Sequence, residues 1–296
     1  MCVHCAPLRA GAVCPMKIAI VGPGAIGSTF AFQLSRAGHD VSVVARGARL
    51  ARISLDQAIV LETGERAAVA VAAELDATIE FDLVLVTVLA PQVAAVLPSL
   101  RRSRARKVMF MFNTFEPIDP LREAVGTGRF AFGFPGGVFT LLRAGRIAPR
   151  IRRGTTVGDA ATASLFTAAG IPTVVDDDMQ SWLRSHAAMV MPLMSIGVRS
   201  FARGKGISWR EARQHAAAFE AGMRVVRALG NDLRPGSIAQ LARLPRPVVA
   251  GLLWSMSRTR MIRELGELGV AEPRMLADMM NAAAPELAAP IRAIRP

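Results

Sequence analysis

The chain opens on alternating blocks of short apolar runs and amphipathic stretches. Lys17–Val21, KIAIV, is an apolar run that stops at a glycine cluster, which suits a strand buried on both faces of a parallel sheet. Residues 25–37 carry helical spacing, Gly38-His39-Asp40 turns the chain, and 41–45 returns as a second buried strand. Residues 58–73 alternate about Thr63-Gly64 and predict a strand pair. Residues 83–88, started by Asp82, form a strongly apolar strand, and Pro91 suits the first turn of the helix after it. Further strands are predicted at 108–112, 130–134 and 151–157, then a helix at 160–169 ended by Gly170. From about Asp178 the pattern becomes helical throughout, at 178–203, 208–229, 237–242, 247–268 and 273–283, with 243–247 as a break. The expectation is an α/β Rossmann-type N-terminal domain over 16–176 followed by an all-helical C-terminal domain over 177–296. Residues 1–15 are expected to be a disordered extension.

Composition changes this picture little. With 296 residues, 52% of them hydrophobic, the chain can bury a core. The longest uncharged apolar stretch, 83–100, contains Pro91 and Pro98 and reads as strand plus helix, so no membrane span is expected. A net charge of +13 invites a nucleic-acid reading, but only three basic residues are Lys, the Arg are scattered, and Tyr is absent. Stacking platforms are therefore scarce, and nucleic acid is not expected as a partner. All three Cys (Cys2, Cys5, Cys14) fall in the first fourteen residues. Cys2-x-x-Cys5 with His4 resembles half a metal site, but no second half follows, and no metal is expected. The remaining chain, free of Cys, suits a reducing cytoplasm.

The glycine cluster supplies the first specific chemistry. Gly22-Pro23-Gly24-Ala25-Ile26-Gly27 is GxGxxG placed after a strand and opening a helix. The first Gly permits the tight turn, the second lets backbone approach a pyrophosphate, and the third lets helix and strand pack closely. An acid at the end of the second strand would hold the ribose 2′-hydroxyl of NAD. Here that strand runs into Ala45-Arg46-Gly47-Ala48-Arg49. Arg46 can pair with a 2′-phosphate and Arg49 can assist it, so NADP (NADPH) is the expected cofactor. The plainer reading of Arg49 is a solvated helix residue.

Residues 16–47, MKIAIVGPGAIGSTFAFQLSRAGHDVSVVARG, resemble the opening of the ketopantoate reductase (2-dehydropantoate 2-reductase) family. The stretch DLVLVTVLAPQ, with Thr87 in it, resembles that family's third motif, and Phe112-Asn113-Thr114 stands where it has Asn-Gly. Thr155-Thr156-Val157-Gly158 and residues 169–182 resemble it too. The resemblance implies a two-domain fold and NADPH-driven reduction of a 2-oxo acid with a Lys as general acid. It places Thr87 and Asn113 at the cofactor and the Lys at 184, where this chain has Arg184. Leu89 replaces a second family Lys, and the family's helix Asn residues fall near Ala188 and Met191. Ser255, before Met256, resembles the substrate-binding Ser-Met, and Glu267 stands at the spacing of the active-site Glu.

Carbonyl reduction needs a proton donor and groups that stabilise the forming alkoxide. Arg184 is too basic to be the acid but can clamp a carboxylate. His186, two residues on and with an unperturbed pKa of about 6.5, is the best replacement acid. Positions 184 and 186 point about 200° apart on a helix, so one of the two is a bystander. Asn113 can contact nicotinamide or substrate, or simply brace a turn. Glu267 has Arg263 at i−4, which favours a solvated pair. The expectation is an NADPH-dependent reductase of a small carbonyl compound carrying a carboxylate, with a homodimer left open. The alternative is an NADP-binding sensor or scaffold without turnover.

Overall fold

A computed structural model describes residues 14–296, so the expectations for Cys2, His4 and Cys5 lie outside the described residues. The chain divides into two compact units. One comprises the chain up to Phe112 with Asp119–Asp177, and the other Asn113–Ile118 with Asp178–Pro296.

In the first unit, β1 (Lys17–Val21), α1 (Ala25–Arg36) and β2 (Asp40–Val44) form the expected βαβ start, and α2 (Gly47–Asp56) follows. Residues 58–73 divide their loyalties. β3 (Ala58–Val60) and β4 (Arg66–Ala68) pair antiparallel, while β5 (Ala70–Ala72) leaves them to pair parallel with β2. Next come β6 (Leu83–Val86), α3 (Val93–Arg102), β7 (Val108–Met111), α4 (Asp119–Val125) and β8 (Phe130–Pro135). The expected strand at 151–157 is in fact two. β9 (Val138–Arg143) and β10 (Arg146–Ile151) make a hairpin, and β11 (Thr155–Val157) starts after Gly154, whose φ of 141° breaks the strand. α5 (Ala160–Ala168) and β12 (Thr173–Val175) complete the unit.

The main sheet runs β12-β11-β8-β7-β6-β1-β2-β5, parallel from β8 to β5, with β11 antiparallel to β8. The central strands are buried on both faces: Ile18, Ile20, Val84, Leu85, Met109 and Phe110 have essentially no exposure. This explains why their sequences read as continuous apolar runs rather than alternations.

The second unit is helical: α6 (Met179–Arg203), α7 (Trp209–Ala228), α8 (Gly236–Leu241), α9 (Arg246–Met256), α10 (Arg260–Glu267), α11 (Ala271–Ala283) and α12 (Ala289–Ile294). The Asp178 carboxylate caps α6 by accepting from Ser181 N at 3.0 Å, and Ser208 with Glu211 forms a capping box on α7. The single helix expected over 247–268 is split. The Ser257 hydroxyl donates to Trp254 O at 2.6 Å and accepts from Ile207 N at 3.1 Å, and the Thr259 hydroxyl caps α10. Hydroxyls that serve backbone groups in this way compete with a continuing helix. α6 and α10 pack through facing glycines: a Cβ on Gly197 would lie 2.8 Å from Ile262 O and 2.9 Å from Gly266 N. Among the described residues no helix is long and apolar enough to cross a membrane.

Candidate functional site

The glycine loop follows the C-terminal end of β1, beside the C-terminal end of β6. Gly22 has a φ of 89°, and a Cβ there would lie 2.6 Å from Val88 Cγ1. A Cβ on Gly27 would collide with Thr87 Oγ1 and stand 2.6 Å from Gly22 O, so only glycine lets α1 approach the sheet this closely. Gly24 differs: a Cβ there would meet nothing within 4 Å, so its outer side is open. Gly24 is the N-cap of α1, with no side-chain capping bond and no acid in the first turn. The first-turn amides of α1 therefore lack a built-in anion, and a phosphate fits them. Two glycines pack against protein and the third faces open space, which is the arrangement a dinucleotide diphosphate requires.

The other cofactor candidates fare differently. Thr87 donates its hydroxyl to Gly22 O at 2.8 Å, so it steadies the loop from behind. Arg46 is exposed at the N-cap of α2, and its side chain makes no hydrogen bond among the described residues. Arg49 is neither free to assist Arg46 nor a solvated helix residue. Half-buried, it donates from Nε to Pro23 O at 2.8 Å, from Nη1 to Gly145 O at 2.8 Å and from Nη2 to Ser28 Oγ at 2.7 Å. Its periodicity in α2 gave no sign of these acceptors, one of which lies 96 residues away.

In the helical unit a second group of candidates gathers on the segment Asn113–Ile118. Arg184 is buried, at 8% exposure, and donates from Nε to Phe115 O at 3.1 Å and from Nη1 to Asn231 Oδ1 at 2.6 Å. Both acceptors are neutral, and Nη2 makes no hydrogen bond among the described residues. Burial lowers the Arg184 pKa from its ordinary value, but a guanidinium remains a cation in any case. Asn113 is also buried, and its Nδ2 donates to Glu272 Oε1 at 2.9 Å. Its Oδ1 is buried and has no hydrogen-bond partner among the described residues. Burial pushes the Glu272 carboxyl up, against a smaller opposing effect of the Asn113 bond.

Glu272 was not a candidate from sequence, whereas Glu267 was. Glu267 is exposed near the end of α10, and Ser255 is exposed on α9. The break at Ser257–Thr259 (residues 257–259) separates the two, so their twelve-residue spacing carries no fixed helical phase. His186 lies half-buried on α6 with its ring stacked on Trp182, at 5.0 Å and 7°. Burial lowers its pKa to about 4, which leaves it neutral at physiological pH and without an acidic imidazolium proton. No group of three or more potential metal ligands occurs among the described residues.

Comparison with known proteins gives this geometry a context. The family model described as ketopantoate reductase PanE/ApbA matches residues 18–161. The 2-dehydropantoate 2-reductase of Vibrio cholerae is 34% identical over 113 residues, 37% of this chain and 36% of that protein. The match thus spans about a third of the curated relative's length, at 36%. Two solved structures share the fold across 95% of this chain. The 2-dehydropantoate 2-reductase from Geobacter metallireducens has a TM-score of 0.70 at 14% identity, with 98% of that chain covered. D-mandelate dehydrogenase, solved with NADH and anilino(oxo)acetate, has a TM-score of 0.68 at 15% identity, also with 98% covered. The chain resembles the ketopantoate reductase family, in sequence over its N-terminal half and in fold over most of its length.

Proposed function

We propose that this chain is an NADPH-dependent reductase of a 2-oxo acid or a related carbonyl compound. The observation that carries the reading is the glycine loop, closed against Val88 and Thr87 at Gly22 and Gly27 and open at Gly24. The resemblance to ketopantoate reductases and the fold shared with a mandelate dehydrogenase support the same chemistry.

In this reading the loop residues Gly22, Pro23, Gly24, Ala25, Ile26 and Gly27 hold the dinucleotide diphosphate, with Thr87 as their support. Arg46, exposed and unbonded beside them, takes the 2′-phosphate and so selects NADPH over NADH. When bound, the cofactor supplies the hydride. The chain's own residues must then orient the substrate and hold a proton for its carbonyl oxygen. Arg184 offers Nη2 to the substrate carboxylate while Phe115 O and Asn231 fix the rest of the guanidinium. Glu272 is the proton carrier: Asn113 occupies Oε1, leaving Oε2 to bear the proton that burial favours. Asn113 Oδ1, buried with no partner among the described residues, can accept from a bound ligand. Glu272 thereby takes the acid role expected of His186 or of a Lys at position 184.

The test is NADPH oxidation, followed by cofactor absorbance, against ketopantoate and a panel of other 2-oxo acids and ketones. Saturable turnover with a 2-oxo acid, lost in Glu272→Gln, is the expected result. NADPH binding without turnover on any member would instead support the sensor reading, which the replacement of the family Lys by Arg184 favours.

A further inference from the structure

Three elements of the first unit converge beneath the glycine loop. Pro23 O accepts from both Arg49 Nε and Ser28 Oγ, each at 2.8 Å, and Ser28 Oγ in turn accepts from Arg49 Nη2 at 2.7 Å. Guanidinium, hydroxyl and carbonyl thus close a triangle under the first turn of α1. The third corner of the guanidinium reaches Gly145 O at 2.8 Å, in the turn between β9 and β10. The hairpin is fastened to α1 a second time, where Thr29 Oγ1 and Thr140 Oγ1 stand 2.7 Å apart. Gly145 has a φ of 82°, and a Cβ there would lie 2.8 Å from Arg52 Cγ, so the turn fits closely over α2.

These bonds bear directly on anion binding. A carbonyl oxygen in a glycine loop repels a phosphate unless a donor holds it away. Gly22 O is taken by Thr87 Oγ1 and by Gly24 N, each at 2.8 Å, and Pro23 O is taken by Arg49 and Ser28. With both carbonyls tied back, and with Gly22 N and Gly24 N bonded to Val44 O and Gly22 O, what is offered to a ligand is the first-turn amides of α1, and a fixed guanidinium adds its charge from below. Preorganised donors and charges of this kind avoid the cost of rearrangement on binding.

We infer that Arg49 is a positioning residue of the dinucleotide site. Its guanidinium sets the glycine loop and supplies a permanent positive charge for the diphosphate, and the β9–β10 hairpin is the strap that holds it there. The inference rests on the dinucleotide reading above but assigns a role distinct from that of Arg46. Arg46 serves only a cofactor with a 2′-phosphate, whereas Arg49 serves the diphosphate common to NADPH and NADH.

The experiment is calorimetric titration of wild type, Arg49→Gln and Arg49→Lys with NADPH, NADH and adenosine 2′-monophosphate, below the melting temperature of every variant. Loss of a charge-assisted bond in Arg49→Gln should weaken NADPH and NADH alike, by roughly tenfold or more. Adenosine 2′-monophosphate, which lacks the diphosphate, should bind as before. Arg49→Lys should recover only part of the loss, because an ammonium cannot reach the three acceptors of a planar fork. If Arg49→Gln does not fold, Ser28→Ala opens the same triangle and should shift the same two affinities, by less. A lower melting temperature with unchanged dinucleotide affinity would leave Arg49 a purely structural brace and overturn the inference. Equal weakening of adenosine 2′-monophosphate would overturn it as well. Wild type binding neither dinucleotide would overturn both this inference and the reading beneath it.

Discussion

Replacing Arg184 with Met isolates the least expected feature of the helical unit, a buried cation held by neutral acceptors. Met keeps much of the apolar stem and removes the donors. Phe115 O, in buried surroundings, loses its Arg184 partner, and leaving such an acceptor without a donor costs about 1–3 kcal/mol. Asn231 is only half-buried and can be rehydrated, so its share is small. Removing a desolvated cation that has no carboxylate partner offsets part of the cost. The net expectation is a loss of about 1 kcal/mol, equivalent to a fall of roughly 2–4 °C in Tm. Intrinsic fluorescence is a selective assay, because Trp182, Trp209 and Trp254 all belong to the helical unit and the chain has no Tyr. A second measurement separates support from clamping. If Nη2 holds the substrate carboxylate, kcat/KM for a 2-oxo acid should fall at least about tenfold more than for the matching neutral ketone. An Arg184→Met protein as stable as wild type would refute the packing argument, and equal losses on both substrates would refute the clamp.

Other expectations follow from the same geometry. Arg46→Ala should weaken NADPH by roughly 10- to 100-fold and leave NADH nearly unchanged, since only the former has a 2′-phosphate for the guanidinium; equal losses in a fluorescence titration would remove Arg46 from that role. Glu272 has a folded-state pKa raised by burial, so its contribution to stability is fully present below the unfolded value, near pH 4, and is lost as pH rises through the folded one. Glu272→Gln should therefore be more stable than wild type at pH 7 and match it in acid, as read from denaturant midpoints across pH. A less stable Gln variant at pH 7 would mean that the Asn113 bond to the ionised carboxylate outweighs burial. His186→Gln should retain most turnover, because a histidine titrating near 4 has no imidazolium proton to give at pH 7; a collapse of kcat with unchanged stability would return His186 to the chemistry.

Contiguous features were legible without coordinates. The apolar runs of β1, β6 and β7 announce strands buried on both faces, because a parallel sheet covered on two sides leaves no polar alternation. GxGxxG is legible for a similar reason: its three glycines act within six residues, on one strand end and one helix start. The helical half is readable from spacing as far as 283, apart from the split at 257–259, where side-chain hydroxyls claim backbone partners that a periodicity argument assigns to the helix; α12 lies beyond the last predicted helix.

Contacts between distant residues were not legible. The resemblance put an active-site Glu at Glu267 by its twelve-residue spacing from Ser255, but a helix break erases the phase on which such spacing depends; the carboxyl bonded to Asn113 is that of Glu272 on α11, 159 positions away. Arg49 read either as an assistant to Arg46 or as an exposed helix cation, and the turn at Gly145 and the loop at Pro23 close around it instead. Arg184 and His186 were separable in principle by helical angle, yet which of them is held at Phe115 and which stacks on Trp182 depends on packing. Sequence by itself determined the central strands, most of the long helices and the glycine loop, because those are set by local sterics and short-range periodicity, whereas α2, α4, β9 and α12 carried no such signal. Which charges are buried, what each one touches, and which carboxyl is raised were decided only by tertiary structure, because desolvation and hydrogen bonding depend on neighbours that the chain brings from far away.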